Sequence, residues 1–468
     1  MPSFRSIIVE GLAAASVPRR VVVVGAGMAG LVAGLELKRA GHEVTILEAQ
    51  QRVGGRVSTL RAPFTDGLYG EAGAMRIPRS HALTLAYVER FGLRTSPFTA
   101  SNPSGYQFLR GNRQRISAAG DDPLALGFEL AAGETGKSAA QLWGEVLAPV
   151  AALVRDGGES AWPKIVARYD QYSLREFLES SNLSEGAIEM CGLLLHLEAL
   201  MNLSCLEVLR EEVGEYFHDV VAIDGGMDLL PRAFLDELRG VIRFGARLAA
   251  IEQSTTGVTA HYSTVAGRGS VAADYAIVTL PFSVLRHVEF LQGLSRAKER
   301  AIRQLHYDAA AKILFQCRRR FWEEDDGIYG GASVTDLPIR AMYYPDHGRD
   351  SGRGVLLASY TWAEDAQRWG SLSPEARLSQ ALENVARIHP QVTDEFEVGT
   401  SKMWHDDEFA GGAFASFEPG QQTLLHEHIV APEGRVHFAG EHASLTHAWI
   451  QGAIESGLRA AWEVHSQS

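Results

Sequence analysis

The stretch Arg19–Arg56, RRVVVVGAGMAGLVAGLELKRAGHEVTILEAQQRVGGR, constrains the fold more than any other part of the chain. Val21 to Val24 form an unbroken β-branched run, as a strand buried on both faces requires. The run enters Gly25, Gly27 and Gly30 at G-x-G-x-x-G spacing. At that spacing Gly25 permits a tight turn, Gly27 lets a pyrophosphate approach the backbone, and Gly30 lets the following helix pack close to the strand. The helix N-terminus then offers free N–H groups to the phosphates. Leu31, Leu35 and Leu37 continue the buried face until Gly41. A second strand, Val44 to Leu47, delivers Glu48 where a carboxylate accepts hydrogen bonds from a ribose. Arg52, Gly54, Gly55 and Arg56 follow, a second glycine pair whose flanking cations are placed to clamp the same pyrophosphate.

At 468 residues the chain is too long for one compact core, so two or three structural units are expected. A net charge of −13 argues against nucleic acid or an anionic membrane as the main partner. Cys191, Cys205 and Cys317 are too few, and odd in number, for a disulfide framework; a reducing, cytoplasmic setting is the simpler expectation. In the first twenty residues Glu10 interrupts the apolar run and Arg19–Arg20 follow it, the wrong polarity for a secretory signal. Residues 1–16 are read as a packed or frayed arm. No apolar run reaches membrane-spanning length, since Glu145, His196 and Glu198 break the longest candidates. No metal site is expected.

The glycine fingerprint together with Arg52–Arg56, an R-x-G-G-R segment, resembles the FAD-dependent amine oxidase family, which implies FAD rather than NAD; non-covalent binding is expected because all three cysteines lie before the C-terminal segment where related enzymes make a thioether. The next motif, GLYGEAGAMRIP (Gly67 to Pro78), is dense in glycine yet carries Met75 and Arg76. Glycines let backbone run close to a flat ligand. A loop arginine is ordinarily a solvated surface residue, but the L-amino-acid oxidase branch of the family has this G-A-M-R-[IL]-P motif. The resemblance implies a bidentate pair between Arg76 and the substrate carboxylate. Plain amines have no carboxylate, so Arg76 separates the two substrate classes.

From about Ser117 to Val221 apolar residues recur at helical spacing, through Ala139–Val154, Leu174–Leu178 and Ile188–Leu209. His196 on such a stretch is expected to be a core histidine; His218 is a candidate facing the substrate entrance. Ile223 to Pro231, IDGGMDLLP, is a second glycine-rich turn leading into a helix. Ile242, Phe244, Leu248 to Ile251 and Val258 to Tyr262 read as antiparallel hairpin strands, and Tyr275 to Pro281 as another buried strand. The resemblance puts the Leu248 backbone at the adenine.

Lys312 lies inside the apolar run Leu305 to Trp322. On the residues alone it is a snorkelling lysine at a strand edge; the resemblance implies a lysine that holds a water at the flavin. Tyr360, at the end of GVLLASYTW, corresponds to the tyrosine that joins the arginine on the carboxylate. Trp404, Phe409, Phe414 and Phe417 form an aromatic cluster that in the family lines the substrate cavity, and Phe409 is taken as substrate-binding. A last strand, Val436 to Ala439, ends at Gly440–Glu441, with a helix from near Trp449. The resemblance assigns Glu441 to the ribityl or phosphate-linked part of FAD and Trp449 and Ile450 to walling the flavin. It extends the cofactor contacts to Ala29, Ala49, Gly55, Arg56, Gly73, Ala74, Met75, Arg76, Gly440 and Ala453. Ala448 stands where the family commonly has glycine, at the carbonyl that receives the substrate amine.

The expected fold class is α/β, with a discontinuous Rossmann-like FAD-binding domain (17–60, 222–304 and 425–468), a mixed-sheet substrate domain (61–116 and 305–424) and an inserted helical domain (117–221). The expected function is oxidative deamination of L-amino acids by hydride transfer to FAD, with dioxygen as acceptor and 2-oxo acid, ammonia and hydrogen peroxide as products. Lys312, Arg76, Tyr360 and Trp449 are the catalytic candidates; Ala448, His218 and Phe409 complete the substrate set. A homodimer is expected. The rivals are an amino-acid 2-monooxygenase, which makes an amide, an amine or polyamine oxidase, which Arg76 opposes, and a redox-idle FAD-binding module.

Overall fold

A computed structural model of the protein describes residues 2–116 and 126–467. The start of the helical segment expected from Ser117 lies outside the described residues. Arg20–Val24 is the central strand of a five-stranded parallel sheet. Glu43–Leu47 and then Ile242–Arg243 flank it on one side; Tyr275–Val278 and Val436–Phe438 flank it on the other. Strands from four separate stretches of chain thus share one sheet. Valine side chains fill both faces: Val21 and Val23 join one buried cluster, Val22 and Val24 another. Ile242 therefore belongs to this sheet, not to the hairpin expected from alternation. The hairpin proper is Arg247–Gln253 with Val258–Thr264, extended by Gly267–Ala273.

A second, seven-stranded sheet carries the other half of the cavity. Its order is Phe396–Met403, Ala310–Cys317, Gly354–Trp362, Ala341–Tyr343, Ala332–Thr335, Tyr106–Leu109 and Asn112–Arg115. Ala310–Cys317 is buried along its whole length and pairs on both sides, which sets Lys312 opposite Tyr360. Between the sheets in sequence come helices Ala139–Gly157, Trp162–Tyr169, Leu174–Ser180, Glu185–Leu194 and Cys205–Val213. Ser138 and Ser173 start two of them with full capping boxes. At the N-terminus, Phe4–Glu10 is a packed helix, with Ile7 and Ile8 buried and the Ile8 carbonyl accepting from Arg39 and Arg90. Among the described residues no helix is long and apolar enough to cross a membrane.

One buried cation gives the fold a pH dependence. Lys298 is 0% exposed, donates Nζ to the Ile429 carbonyl at 2.8 Å and lies 3.8 Å from the Phe438 ring centroid. Burial pushes its pKa down to about 7, below that of an unfolded lysine. Between about pH 7 and the unfolded value near 10.4 the unfolded chain binds the extra proton, so stability rises with pH across that window. Lys298→Met is expected to raise the thermal midpoint most at pH 7 and below, with the gain shrinking toward pH 10. Melting curves of both proteins at pH 7, 8.5 and 10 test this; a constant difference would contradict it.

Candidate active site

One cavity of about 950 Å³ runs between the two sheets and the helices. Of the site residues expected from the sequence, all line it except Gly30, Arg52 and Phe417, the last of which is buried in the core beside the parallel sheet. Gly30 acts through packing: a Cβ there would lie 2.0 Å from the Gly25 carbonyl oxygen, so only glycine lets the helix Met28–Arg39 come this close. Gly25 takes φ +101°, the left-handed region glycine favours. Gly27 is different. Its φ of −71° suits any residue, and a Cβ there would meet no protein atom within 4 Å. The helix that begins after it has no side-chain cap, so its first N–H groups face open space. Glu48, at the end of its strand, accepts from the Ala26 and Gln50 amides, each at 2.7 Å, one on each carboxylate oxygen, and each oxygen keeps a second lone pair. Open space over a glycine, free helix N–H groups and an adjacent carboxylate are what a dinucleotide needs, and the residues present fit one.

The second glycine pair works differently from its sequence reading. Gly54 donates to the Ala26 carbonyl, tying the two glycine turns together. Arg52 folds back on the Gly55 carbonyl at 2.7 Å, with longer contacts to Val53 and Val57, so it braces this turn and leaves no fork for a phosphate. Arg56 pairs with Glu441 at 2.8 Å and donates to the Ala413 carbonyl. Glu441 also accepts from the Ala415 and Ala448 amides. Burial opposes its charge, but Arg56 and the neighbouring histidines hold its pKa below the ordinary carboxylate value. Its carboxylate thus ties Arg56 to the Ala448 turn. Ala448 itself takes φ +64°, a left-handed conformation more easily met by glycine.

Lys312 is 2% exposed, so it does not snorkel. Its Nζ donates to the carbonyls of Gly73 at 2.7 Å and Glu71 at 3.2 Å, touches Met75 Sδ at 3.5 Å, and sits 4.6 Å from the Tyr360 ring centroid. Burial lowers its pKa and raises that of Glu71, whose carboxylate accepts from Thr59 Oγ1 and the Met227 amide. Arg76 has no hydrogen-bond or ion-pair partner among the described residues. Its guanidinium carbon lies 5.1 Å from the Phe217 ring centroid, 5.8 Å from Phe98 and 5.9 Å from Tyr343. Three aromatic faces hold the cation while its N–H groups stay free. Tyr360 borders the same space, and burial raises its pKa, keeping it a neutral donor.

Trp449 caps the helix Ile450–His465. His81, Tyr216 and Phe217 pack edge-on against its ring at 5.0–5.8 Å, and its Nε1 donates to Glu211 at 2.7 Å. Two placements correct the sequence reading. His196 lines the cavity instead of sitting in a core; its helix stops at Leu194 and it adopts φ +61°. Phe409 lies beside Arg247, 6.0 Å from ring centroid to guanidinium, and thus next to Leu248 at the expected adenine end, not beside Arg76. Asp407 causes this by accepting from the Phe409 and Ala410 amides and turning the segment. Missed altogether were Glu207, Glu211 and Glu212. A carboxylate pair four apart on a predicted helix, Glu207 and Glu211, was the available signal.

A dinucleotide cradle continuous with a substrate-sized cavity is the arrangement of a cofactor-dependent oxidoreductase. The model of the family described as flavin containing amine oxidoreductase matches residues 28–465. A putative L-amino-acid oxidase of Bacillus subtilis (strain 168), YobN, is 45% identical over 98% of this chain and 97% of its own length. An L-amino-acid oxidase of Pseudechis australis is 38% identical over 99% of this chain and 90% of its own. In fold the chain is similar to a putrescine oxidase variant with redesigned cofactor binding, with a TM-score of 0.81 at 23% identity, covering 97% of this chain and 100% of that one. The chain belongs to the flavin-containing amine oxidoreductase family, and its cofactor is a flavin.

Proposed function

We propose that the protein oxidises L-amino acids to 2-oxo acids, with release of ammonia and hydrogen peroxide. The observation that carries this reading is Arg76, a guanidinium held in the cavity by three aromatic rings with no hydrogen-bond or ion-pair partner among the described residues. Such a cation suits a ligand carboxylate, and a planar fork binds one in two parallel hydrogen bonds. The relatives' names agree with it.

In this reading Arg76 and the Tyr360 hydroxyl hold the carboxylate, and the Ala448 carbonyl receives the amine. Fixing both ends of a small substrate replaces a bimolecular encounter by a positioned one. Trp449, locked by Glu211 and its ring neighbours, walls the substrate. Lys312 spends two of its three donors on carbonyls and points the third at Met75 Sδ, a weak acceptor that a water beside the flavin displaces. Gly25, Gly27, the amides that follow, Glu48 and Leu248 hold the nucleotide end of FAD; Gly73, Ala74, Met75, Ile450 and Ala453 line the rest. FAD, when bound, would supply two-electron oxidation of the Cα–N bond, with dioxygen as the final acceptor. No cysteinyl thioether joins the flavin to the chain, as Cys191, Cys205 and Cys317 are all buried away from the cavity.

Product analysis tests the reading against its nearest rival. Incubation with an L-amino acid and dioxygen is expected to give 2-oxo acid and ammonia in equal amounts. Amide and carbon dioxide would instead make the protein a 2-monooxygenase.

A further inference from the structure

The roles above leave two cavity carboxylates unexplained. Glu211 and Glu212 sit near the end of the helix Cys205–Val213, and both line the cavity. Their helix neighbour Glu207 is committed, pairing with His447 Nδ1 at 2.9 Å and accepting from the Phe417 amide at 2.8 Å. Glu211 accepts only the Trp449 indole N–H. Among the described residues no lysine or arginine comes within ion-pair distance of Glu211 or Glu212. Burial, reinforced by Glu207 and Glu212 and opposed by the Trp449 indole and the more distant Arg76, pushes the Glu211 pKa up to about 7; burial also raises that of Glu212, against the Trp143 indole and His218. A desolvated carboxylate without a cation is an incomplete pair.

Trp143, 6% exposed, also lines the cavity and turns its indole N–H toward Glu212, which leaves the rest of that carboxylate open to the cavity. The cavity also has an opposite pole. The Arg76 guanidinium is near enough to act electrostatically on Glu211 but too far to pair with it. The Phe217 ring lies between their surroundings, 5.1 Å from the guanidinium carbon and 5.8 Å from the Trp449 ring that Glu211 holds. Cationic and anionic poles are thus separated by an apolar face. The complementary molecule has a carboxylate at one end, a cation at the other and an aliphatic stem between them.

We propose that Glu211 and Glu212 form the side-chain subsite of this cavity and select L-amino acids whose side chain ends in a cation. The inference rests on the carboxylate-anchoring role of Arg76. In it, the carboxylate takes Arg76, the methylene stem crosses Phe217, and the terminal ammonium or guanidinium meets the two glutamates. An acidic side chain would put like charges together, which discriminates as strongly as the attraction does.

Calorimetric titration of the FAD-loaded protein with hexanoate and 6-aminohexanoate tests this without turnover, because neither probe has an α-amino group to oxidise. The expected result is that 6-aminohexanoate binds tighter by about tenfold or more. In the double variant Glu211→Gln, Glu212→Gln the two probes should bind alike, with hexanoate affinity and flavin content retained. Glutamine keeps an acceptor for Trp449, so the wall stays in place. Equal or tighter binding of hexanoate by the unaltered protein overturns the inference, as does a preference that survives in the double variant. Hexanoate affinity unchanged in Arg76→Ala would instead remove the anchor on which the inference rests.

Discussion

Arg76→Ala is expected to weaken amino-acid binding by about 2–5 kcal/mol, the cost of stripping one partner from a buried charge pair. That is a loss of roughly 30- to 4000-fold in Kd. The structure makes the result unusually clean. Arg76 makes no hydrogen bond or ion pair with the described protein, so its removal leaves no protein group unsatisfied. The thermal midpoint should move little, while the three rings that held the guanidinium, Phe98, Phe217 and Tyr343, lose only a cation–π contact. Arg76→Lys should recover only part of the affinity, because an ammonium keeps the charge but not the two-pronged geometry. Anaerobic bleaching of the bound flavin, followed against amino-acid concentration, reads out both variants. If Arg76→Ala is bleached at the same concentrations as the parent, or if carboxylate-free amines bleach the parent as readily, the protein is an amine oxidase.

The parts of this site that could be read from the sequence are those whose physics is local. Val21–Val24, the glycine turn, the helix and Glu48 lie within one βαβ unit, so pattern and spacing carry the information. Burial of Lys312 was not legible from the residues, because its carbonyl partners stand about 240 residues away at Glu71 and Gly73. Only the resemblance to a family overrode the snorkelling reading. Glu211 was missed for the same reason: its partner Trp449 is 238 residues distant, and a glutamate on a helix ordinarily faces water. Ile242 was misplaced because a two-residue strand has too little alternation to reveal which sheet it joins. Phe409 misled as an aromatic residue in an aromatic segment; its position is decided by the side chain of Asp407, two residues back.

The two glycines that bracket the helix start should fail in opposite ways when each is given a methyl group. In Gly30→Ala the new Cβ would lie 2.0 Å from the Gly25 carbonyl oxygen, on the rigid turn, and 3.1 Å from Thr279 Oγ1, at the end of the neighbouring strand. Helix and strand must part, and overpacking of this kind costs about 1–3 kcal/mol or more. Stability should fall in the FAD-free protein as well as in the loaded one. In Gly27→Ala the methyl meets no protein atom, and φ −71° is open to alanine. Lower entropy of the unfolded chain favours the variant by about 0.4–1 kcal/mol, while alanine is the poorer helix cap. The FAD-free protein should therefore melt close to the parent, yet flavin content should collapse, since the methyl occupies the space through which a pyrophosphate reaches the backbone. Thermal melts with and without added FAD, alongside flavin absorbance per chain, separate the two cases. If Gly27→Ala retains full flavin, the open space above Gly27 is not where the cofactor lies close, and the cradle must be drawn from Glu48 and the helix N–H groups alone.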